Sequence, residues 1–324
     1  MDSDDPVVDS LAPSASAFAA DGYVTVPLLL RDGPSFCALL NQRLERVLRG
    51  EFDVPGGEPD KAPPFKAEAR CKPGKAPPPL GGPSKRTLQV INVWKADRAF
   101  RRLVLSPNLG RLVASLAGWK AGARVANDQV WAKPPGAAPL TFHRDSPYFD
   151  FVHGEPVDVV TVWVALDDMD DELGPLEYIR GSHEWGDGRV GSADQFFDGR
   201  DRFALLHDAA RREGIASPET SLHIHRLGVC AGGAGIHNGR LWHGSGPNKS
   251  TTRPRRGLGV HFVPASARFR DAERGYQTLA HRFRDPAGGD ALPAESFPVT
   301  WAPSLAADDS DTRTTRPDAV ADPD

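Results

Sequence analysis

Cysteine is scarce in this chain. Cys37, Cys71 and Cys230 are the three in 324 residues, and no two of them stand at a Cys-x-x-Cys spacing. Three scattered thiols cannot build a disulfide framework, and a reducing compartment fits them best. Long apolar runs are also missing, since no stretch approaches the ~20 apolar residues that a membrane span requires. The first residues, Met1-Asp2-Ser3-Asp4-Asp5, are acidic and lack the basic region and apolar core of a signal peptide. The last two are Pro323-Asp324, so a Ser-Lys-Leu peroxisomal address is absent. Neither sign of charge dominates: 39 Lys and Arg against 43 Asp and Glu leave a net charge of −4. That balance supplies no general attraction for nucleic acid or for a membrane surface. The expectation is a cytoplasmic protein whose partner is a small molecule; the sequence does not reveal its oligomeric state.

What is present is ordinary for a globular protein, with 40% hydrophobic and 25% charged residues. The length allows one large domain or two modest ones. Residues 14–27 read as a short helix, a break at Gly22, and a strand over 23–26. Asp32 is the expected N-cap of a helix running to Arg49, with Phe36, Leu39, Leu40, Leu44 and Val47 on one face and Gly50 as its stop. Residues 51–85 hold nine of the 30 prolines and five glycines, which excludes helix and sheet and predicts a loop, either solvated or serving as a lid. Alternation predicts strands over 87–94 and 125–132, and a helical stretch over 97–117 with Asp97 as cap and Pro107 as interruption. Val157–Leu166 is almost wholly apolar and β-branched, as a strand buried on both faces would be. A further strand is expected over 176–179, and an inserted, partly helical segment over 190–220 that could cap a site. No internal repeats occur. The expected organisation is a flexible N-terminus over 1–13, one domain over 14–305, and an acidic, Thr- and Asp-rich disordered tail over 306–324.

The chemistry concentrates in two places. In an extended strand, residues i and i+2 share a face, so His143 and Asp145 would offer an imidazole nitrogen and a carboxylate side by side. A further His from a distant strand would complete two His and one carboxylate, the facial set that leaves open positions on non-haem iron(II). The downstream run from His237 to Phe262 contains both His237 and His243, and then Arg253, Arg255 and Arg256. A ligand His followed about a dozen residues later by an Arg that opens a strand suits a dicarboxylate, with chelation at one end and a guanidinium fork at the other. Strand alternation puts Arg255, Gly257, Gly259 and His261 on one face and Arg256 on the other; Arg253 precedes Pro254 and belongs to the turn. The two glycines would leave room for a cosubstrate beneath the guanidinium. His223-x-His225 could begin a cupin metal site, but the acidic residue needed a few positions later is missing. Ser245 and His243 could suggest a hydrolase, yet G-x-S-x-G is absent.

Five linked segments carry a resemblance. They are H-R-D-S-P-Y-F at 143–149, V-T-V-W-V-A-L-D-D at 160–168, G-P-L-E-Y-I-R-G-S-H-E-W-G at 174–186, H-G-S-G-P-N-K-S at 243–250 and R-R-G-L-G-V-H-F at 255–262. In content and order they resemble the phytanoyl-CoA dioxygenase family of Fe(II)/2-oxoglutarate oxygenases, over roughly residues 18–265. The resemblance implies a mainly β fold with flanking helices, built on a double-stranded β-helix, the jelly-roll or cupin-like core. It implies Fe(2+) held by His143, Asp145 and His243, the last chosen over His237 because the family's distal His precedes Gly-Ser-Gly. The implied cosubstrates are 2-oxoglutarate and O2, with ascorbate as a candidate auxiliary reductant.

For 2-oxoglutarate the resemblance implies Arg255, Gln129, Trp163 and Ser245, together with Asn92 where the family has a Lys. Counting back from His261-Phe262 selects Arg255, although the spacing from His243 is one residue longer than usual. Packing alone would also account for Trp163. The family role of His183 is a turn element, and His261 is expected in the core or beside the ligands. Arg144, standing where Gln is frequent, should point away from the metal. Tyr148 and Phe149 are candidate substrate contacts on an apolar wall. The implied reaction is hydroxylation of an unactivated C–H bond, in a small metabolite or an acyl substrate, with release of succinate and CO2. Asp145 favours hydroxylation over halogenation, since relatives that halogenate have a small residue there. The alternative is a non-catalytic metal-binding jelly-roll.

Overall fold

A computed structural model describes residues 4–60, 86–149, 151–186, 201–270, 279–284, 287 and 289–303. In chain order the helices are α1 Ala15–Asp21, α2 Gly33–Leu48, α3 Arg98–Val104, α4 Pro107–Ala117, α5 Ala204–Arg212 and α6 Pro218–Ser221. The strands are β1 Tyr23–Val26, β2 Leu88–Ile91, β3 Ala123–Lys133, β4 Leu140–His143, β5 Phe151–Val152, β6 Val160–Ala165 and β7 Leu176–Ile179. They continue with β8 Ile224–Arg226, β9 Ala234–Asn238, β10 His243–Ser245, β11 Arg255–Pro264, β12 Arg268–Phe269 and β13 Val299–Trp301. A seven-stranded sheet runs β1-β9-β6-β11-β3-β13, with β2 also pairing β3; a four-stranded sheet runs β4-β10-β7-β8. Every pairing is antiparallel.

The period-2 pattern divides the larger sheet into two faces. Val160, Val162 and Val164 of β6, Leu258, Val260 and Phe262 of β11, and Ala234 and Ile236 of β9 join Leu40, Leu44, Phe100, Leu109 and Val113 in one core. That core lies between the sheet and helices α2 to α4. The alternate residues face the smaller sheet and form the interior of the jelly-roll, so the expected mainly β fold with helices on one side is the observed one. The smaller sheet has its own outer cover: Phe142, Ile179 and Trp242 pack with Leu206 and Ala209 of α5.

Several local expectations change. The segment from residue 4 packs onto the domain: Val7 is fully buried, and the Asp5 carboxylate accepts from Ser106 Oγ at 2.7 Å. Asp32 precedes α2 but makes no capping bond, because its backbone is left-handed at φ 46° and Pro34 opens the helix. The strand expected to reach Trp94 ends at Ile91, where Asn92 turns the chain at φ 55°. Asp97 caps as expected, accepting from the Ala99 and Phe100 amides, and Ser106 restarts the helix before Pro107. Of the helical insertion, α5 covers the outer side of β4, where its apolar face meets Phe142, while 190–200 lies outside the described residues. Of the Pro-rich loop, 61–85 lies outside the described residues, as does the tail beyond 303. Among the described residues no helix is long and apolar enough to cross a membrane.

Asp128 of β3 is fully buried on the core face, where it accepts from the Val93 and Trp94 amides. Burial pushes its carboxyl up to about 8. The unfolded value lies near 3.9, so its contribution to stability is complete below about pH 4 and is lost as pH rises through about 8. Asp128→Asn keeps one of the two acceptor oxygens and removes the charge. Urea midpoints of the variant relative to wild type should therefore rise between pH 5 and 8; a difference that does not vary with pH would refute this reading.

Candidate metal centre

Antiparallel pairing of β4 with β10 makes His143 and His243 direct cross-strand partners, with ring centroids 4.1 Å apart. Both rings have the same local anchor. His143 Nδ1 lies 2.8 Å from the Thr141 carbonyl, and His243 Nδ1 lies 2.9 Å from the Leu241 carbonyl. A carbonyl only accepts, so each Nδ1 carries the proton and each Nε2 presents a lone pair. Those lone pairs meet at Asp145, whose Oδ1 is 3.7 Å from His143 Nε2 and 3.6 Å from His243 Nε2. The three donor atoms lie within 4.8 Å of one another, the only such group among the described residues. Two oriented imidazoles and one carboxylate suit a facial iron(II) site.

The backbone reaches this geometry differently from the expected extended His-x-Asp. β4 ends at His143, and Asp145 adopts a helical conformation that starts a short 3-10 turn through Pro147. The Asp145 and Ser146 amides both donate to the Gly239 carbonyl, at 2.8 and 2.9 Å. Gly239 permits this approach, since a Cβ there would meet Val159 at 2.6 Å and Ser146 Oγ at 2.7 Å. Arg144 points away as expected, over the Trp242 ring.

Electrostatics favour a neutral His143 and an ionised Asp145. Burial, and then the neighbouring His243, push His143 down to about 3, so it is neutral. Burial alone would raise the Asp145 carboxyl, but His243, His261 and hydrogen bonds from His237 and His261 outweigh it and hold it well below the usual range. His237, the rival third ligand, lies with Nε2 3.2 Å from Asp145 Oδ2. Its Nδ1 is buried without a partner, so its single proton belongs on Nε2 and the nitrogen that faces the site is a donor.

One strand step away lies a second feature. Arg255 is 1% exposed, donates to the Gly174 carbonyl and stacks 5.1 Å over Trp163. Its cross-strand partner is Lys133, fully buried, whose Nζ donates to Ser245 Oγ at 2.8 Å and to the Gly246 carbonyl at 2.6 Å. Burial lowers Arg255 to about 10; burial, and then Arg255 itself, push Lys133 well below the usual ammonium range. Among the described residues no carboxylate forms an ion pair with either cation. Sequence reasoning missed Lys133. The available signal was a Lys inside an otherwise half-apolar strand, directly before Pro134-Pro135.

The remaining expected residues are placed as follows. Trp163 fills the space beside Gly257, where a Cβ would come within 2.0 Å of its ring, so that glycine accommodates the indole and leaves no space for a cosubstrate. Gln129 accepts from Gln89 Nε2 at 2.6 Å on the inner face of β3. Asn92 lies elsewhere in its bonding: its amide donates to Asp60 and accepts from the Asp128 backbone, which ties down the turn after β2. Phe149 is buried 5.0 Å from His261, and Tyr148 is half-buried beside it. Arg256 is paired with Asp167, and Arg253 with Asp170 and Glu172 on the surface. His183 binds the Ala19 carbonyl, and His225 stacks on Tyr23 at the sheet edge.

Removing a ligand should cost more affinity than removing an outer partner, which typically costs about 10- to 100-fold. His143→Ala and His243→Ala should each weaken Co(II) binding, followed by absorbance titration, by more than about 100-fold. His225→Ala should leave it within about threefold. Intact binding in His243→Ala would remove that residue from the ligand set.

The sequence model of the phytanoyl-CoA dioxygenase (PhyH) family matches residues 18–257. A probable alpha-ketoglutarate-dependent hypophosphite dioxygenase from Stutzerimonas stutzeri is 28% identical over 190 residues, which is 58% of this chain and 60% of that relative. The match thus spans about three-fifths of the relative's length. Among solved structures, the non-heme alpha ketoglutarate dependent carbocyclase SnoK from nogalamycin biosynthesis superposes with a TM-score of 0.63 at 23% identity, covering 90% of this chain and 97% of that one. EctD from S. alaskensis gives a TM-score of 0.54 at 17% identity, covering 86% and 84%. These structures share the fold. With the five motifs in order and a family match across most of its length, the chain belongs to the phytanoyl-CoA dioxygenase family.

Proposed function

We propose that this protein is an Fe(II)- and 2-oxoglutarate-dependent dioxygenase that hydroxylates a small molecule, a metabolite or an acyl substrate, with release of succinate and CO2. The observation that carries the reading is the contact of buried Lys133, the cross-strand partner of Arg255, with the strand that carries His243. Ser245, which contacts Lys133, stands two residues from His243 on the same face of β10. Two strand residues advance about 6.6 Å, which suits a five-carbon diacid with one end at the metal. His143, Asp145 and His243 would hold the ion, and bound iron(II) supplies the redox chemistry with O2 that couples loss of CO2 to oxidation of a second substrate.

The chain's own residues do the positioning. Arg255 forks the far carboxylate of 2-oxoglutarate, Lys133 adds a second cation, and Ser245 a hydroxyl. Trp163 covers the face of the guanidinium and keeps water from it. Anion binding offsets the burial of Arg255, which has no acidic partner among the described residues, and favours the protonated form of Lys133. The family relationship and the likeness to a dioxygenase that acts on hypophosphite support the reaction class.

Labelled 2-oxoglutarate should release CO2 with the iron-loaded protein. Arg255→Ala and Lys133→Met should each raise the concentration needed for half-maximal release by roughly 30-fold or more, since truncating one partner of a buried charged contact costs about 2 kcal/mol or more. Arg253→Ala and Arg256→Ala should change it less than about tenfold; a large loss there with a normal Arg255→Ala would shift the assignment. The carboxylate of Asp145 occupies the position a halide would need. Chloride present during turnover should therefore give no chlorinated product in wild type, and Asp145→Ala should lose hydroxylation; chlorination by wild type would overturn the hydroxylase reading.

A further inference from the structure

Asp145 has two oxygens with different surroundings. Among the described residues, Oδ1 faces His143 and His243. Oδ2 accepts from Thr161 Oγ1 at 2.6 Å, lies 3.2 Å from His237 Nε2, and lies 3.5 Å from His261 Nε2. Those three residues form one row across the larger sheet. His237 of β9 is the cross-strand partner of Thr161 in β6, and Thr161 is the partner of His261 in β11. All three are buried.

We propose that Thr161 and His237 are positioning residues that restrict Asp145 to single-oxygen coordination, with His261 completing their row. This inference rests on the metal-site reading above. A carboxylate free to rotate can bind a metal through both oxygens and so consume a position that a chelating 2-oxo acid needs. Here Oδ2 is committed to two donors before any metal arrives, so only Oδ1 is available. The tautomers agree with this division of roles. The Nδ1 atoms of His143 and His243 are bonded to carbonyls, which frees Nε2 as a ligand. The Nδ1 atoms of His237 and His261 lack partners, which leaves the proton on the Nε2 that faces Asp145. The same imidazole chemistry thus supplies ligands from one sheet and donors from the other.

The test uses the full chain with Co(II) as the probe and no cosubstrate, read by titration and by the visible ligand-field bands, which respond to coordination number. Thr161→Val and His237→Leu should each weaken Co(II) binding by about 10- to 100-fold and shift the bands. Thr161→Ser and His237→Gln keep a donor and should restore both readouts toward wild type. Circular dichroism and thermal melting establish that each variant is folded; if His237→Leu is not, the Thr161→Val and Thr161→Ser pair still decides. Folded Thr161→Val with unchanged affinity and bands would overturn the proposal. Loss in His237→Leu as complete as in His243→Ala, with no recovery in His237→Gln, would make His237 a ligand and also overturn it. Tight Co(II) binding by wild type without CO2 release from 2-oxoglutarate would sink the oxygenase reading alone. Failure of wild type to bind Co(II) would sink both.

Discussion

The site depends first on the register between β4 and β10. His143 and His243 oppose each other because these short strands pair at that one setting. A slip of a single residue would turn one imidazole to the outer face. What holds the register is on the other side of the sheet. Phe142, Ile179 and Trp242 alternate with the inward residues and are buried against Leu206 and Ala209 of α5. Phe142 also stacks on Phe203 just ahead of that helix, with centroids 5.3 Å apart. The packing of α5 therefore helps decide which face His143 and His243 occupy, through the burial of aromatic surface.

The larger sheet applies the same logic from the opposite side. Its valines, Leu258 and Ile236 are sealed against the helices, so the alternate residues must face inward. Those inward residues are Thr161, Trp163, His237, Arg255 and His261, together with Gly257, which lets the indole fit. Fold stability and site geometry thus share one cause. The inward set is also where the fold tolerates unfavourable burial, with Lys133 and Arg255 side by side and no acidic partner among the described residues. A buried guanidinium without an acidic partner is costly, and Arg255 in that state, close to the candidate metal ligands, is the physical argument for an anionic ligand.

Much of this was legible in order along the chain. His143, Asp145, His243 and Arg255 follow from residue type, spacing and family motif, and the apolar alternation of β6 and β11 announces which faces are buried. The Asp97 cap and the break before Pro107 follow from local chemistry. Where the reading failed, a local rule met a tertiary contact. Asp32 resembles a cap by residue type, yet the turn it occupies prevents capping. The N-terminal residues look flexible by composition, yet Val7 and Asp5 find partners about 100 positions away at Ser106 and its neighbours.

The sequence by itself determined the candidate donors, since His143, Asp145, His243 and Arg255 stand in motifs of fixed spacing, and the fold brings the first three within 4.8 Å of one another. Only the tertiary structure decided the role of each nitrogen and oxygen. The order of residues does not show that His237 presents an N–H where His243 presents a lone pair, or that Asp145 turns one oxygen to His143 and His243 and the other to Thr161. Those roles follow from which backbone carbonyl each ring meets and which strand lies alongside. Lys133 became part of the site in the same way, since its partners Arg255 and Ser245 are more than 100 residues distant and converge only when β3, β10 and β11 are folded together.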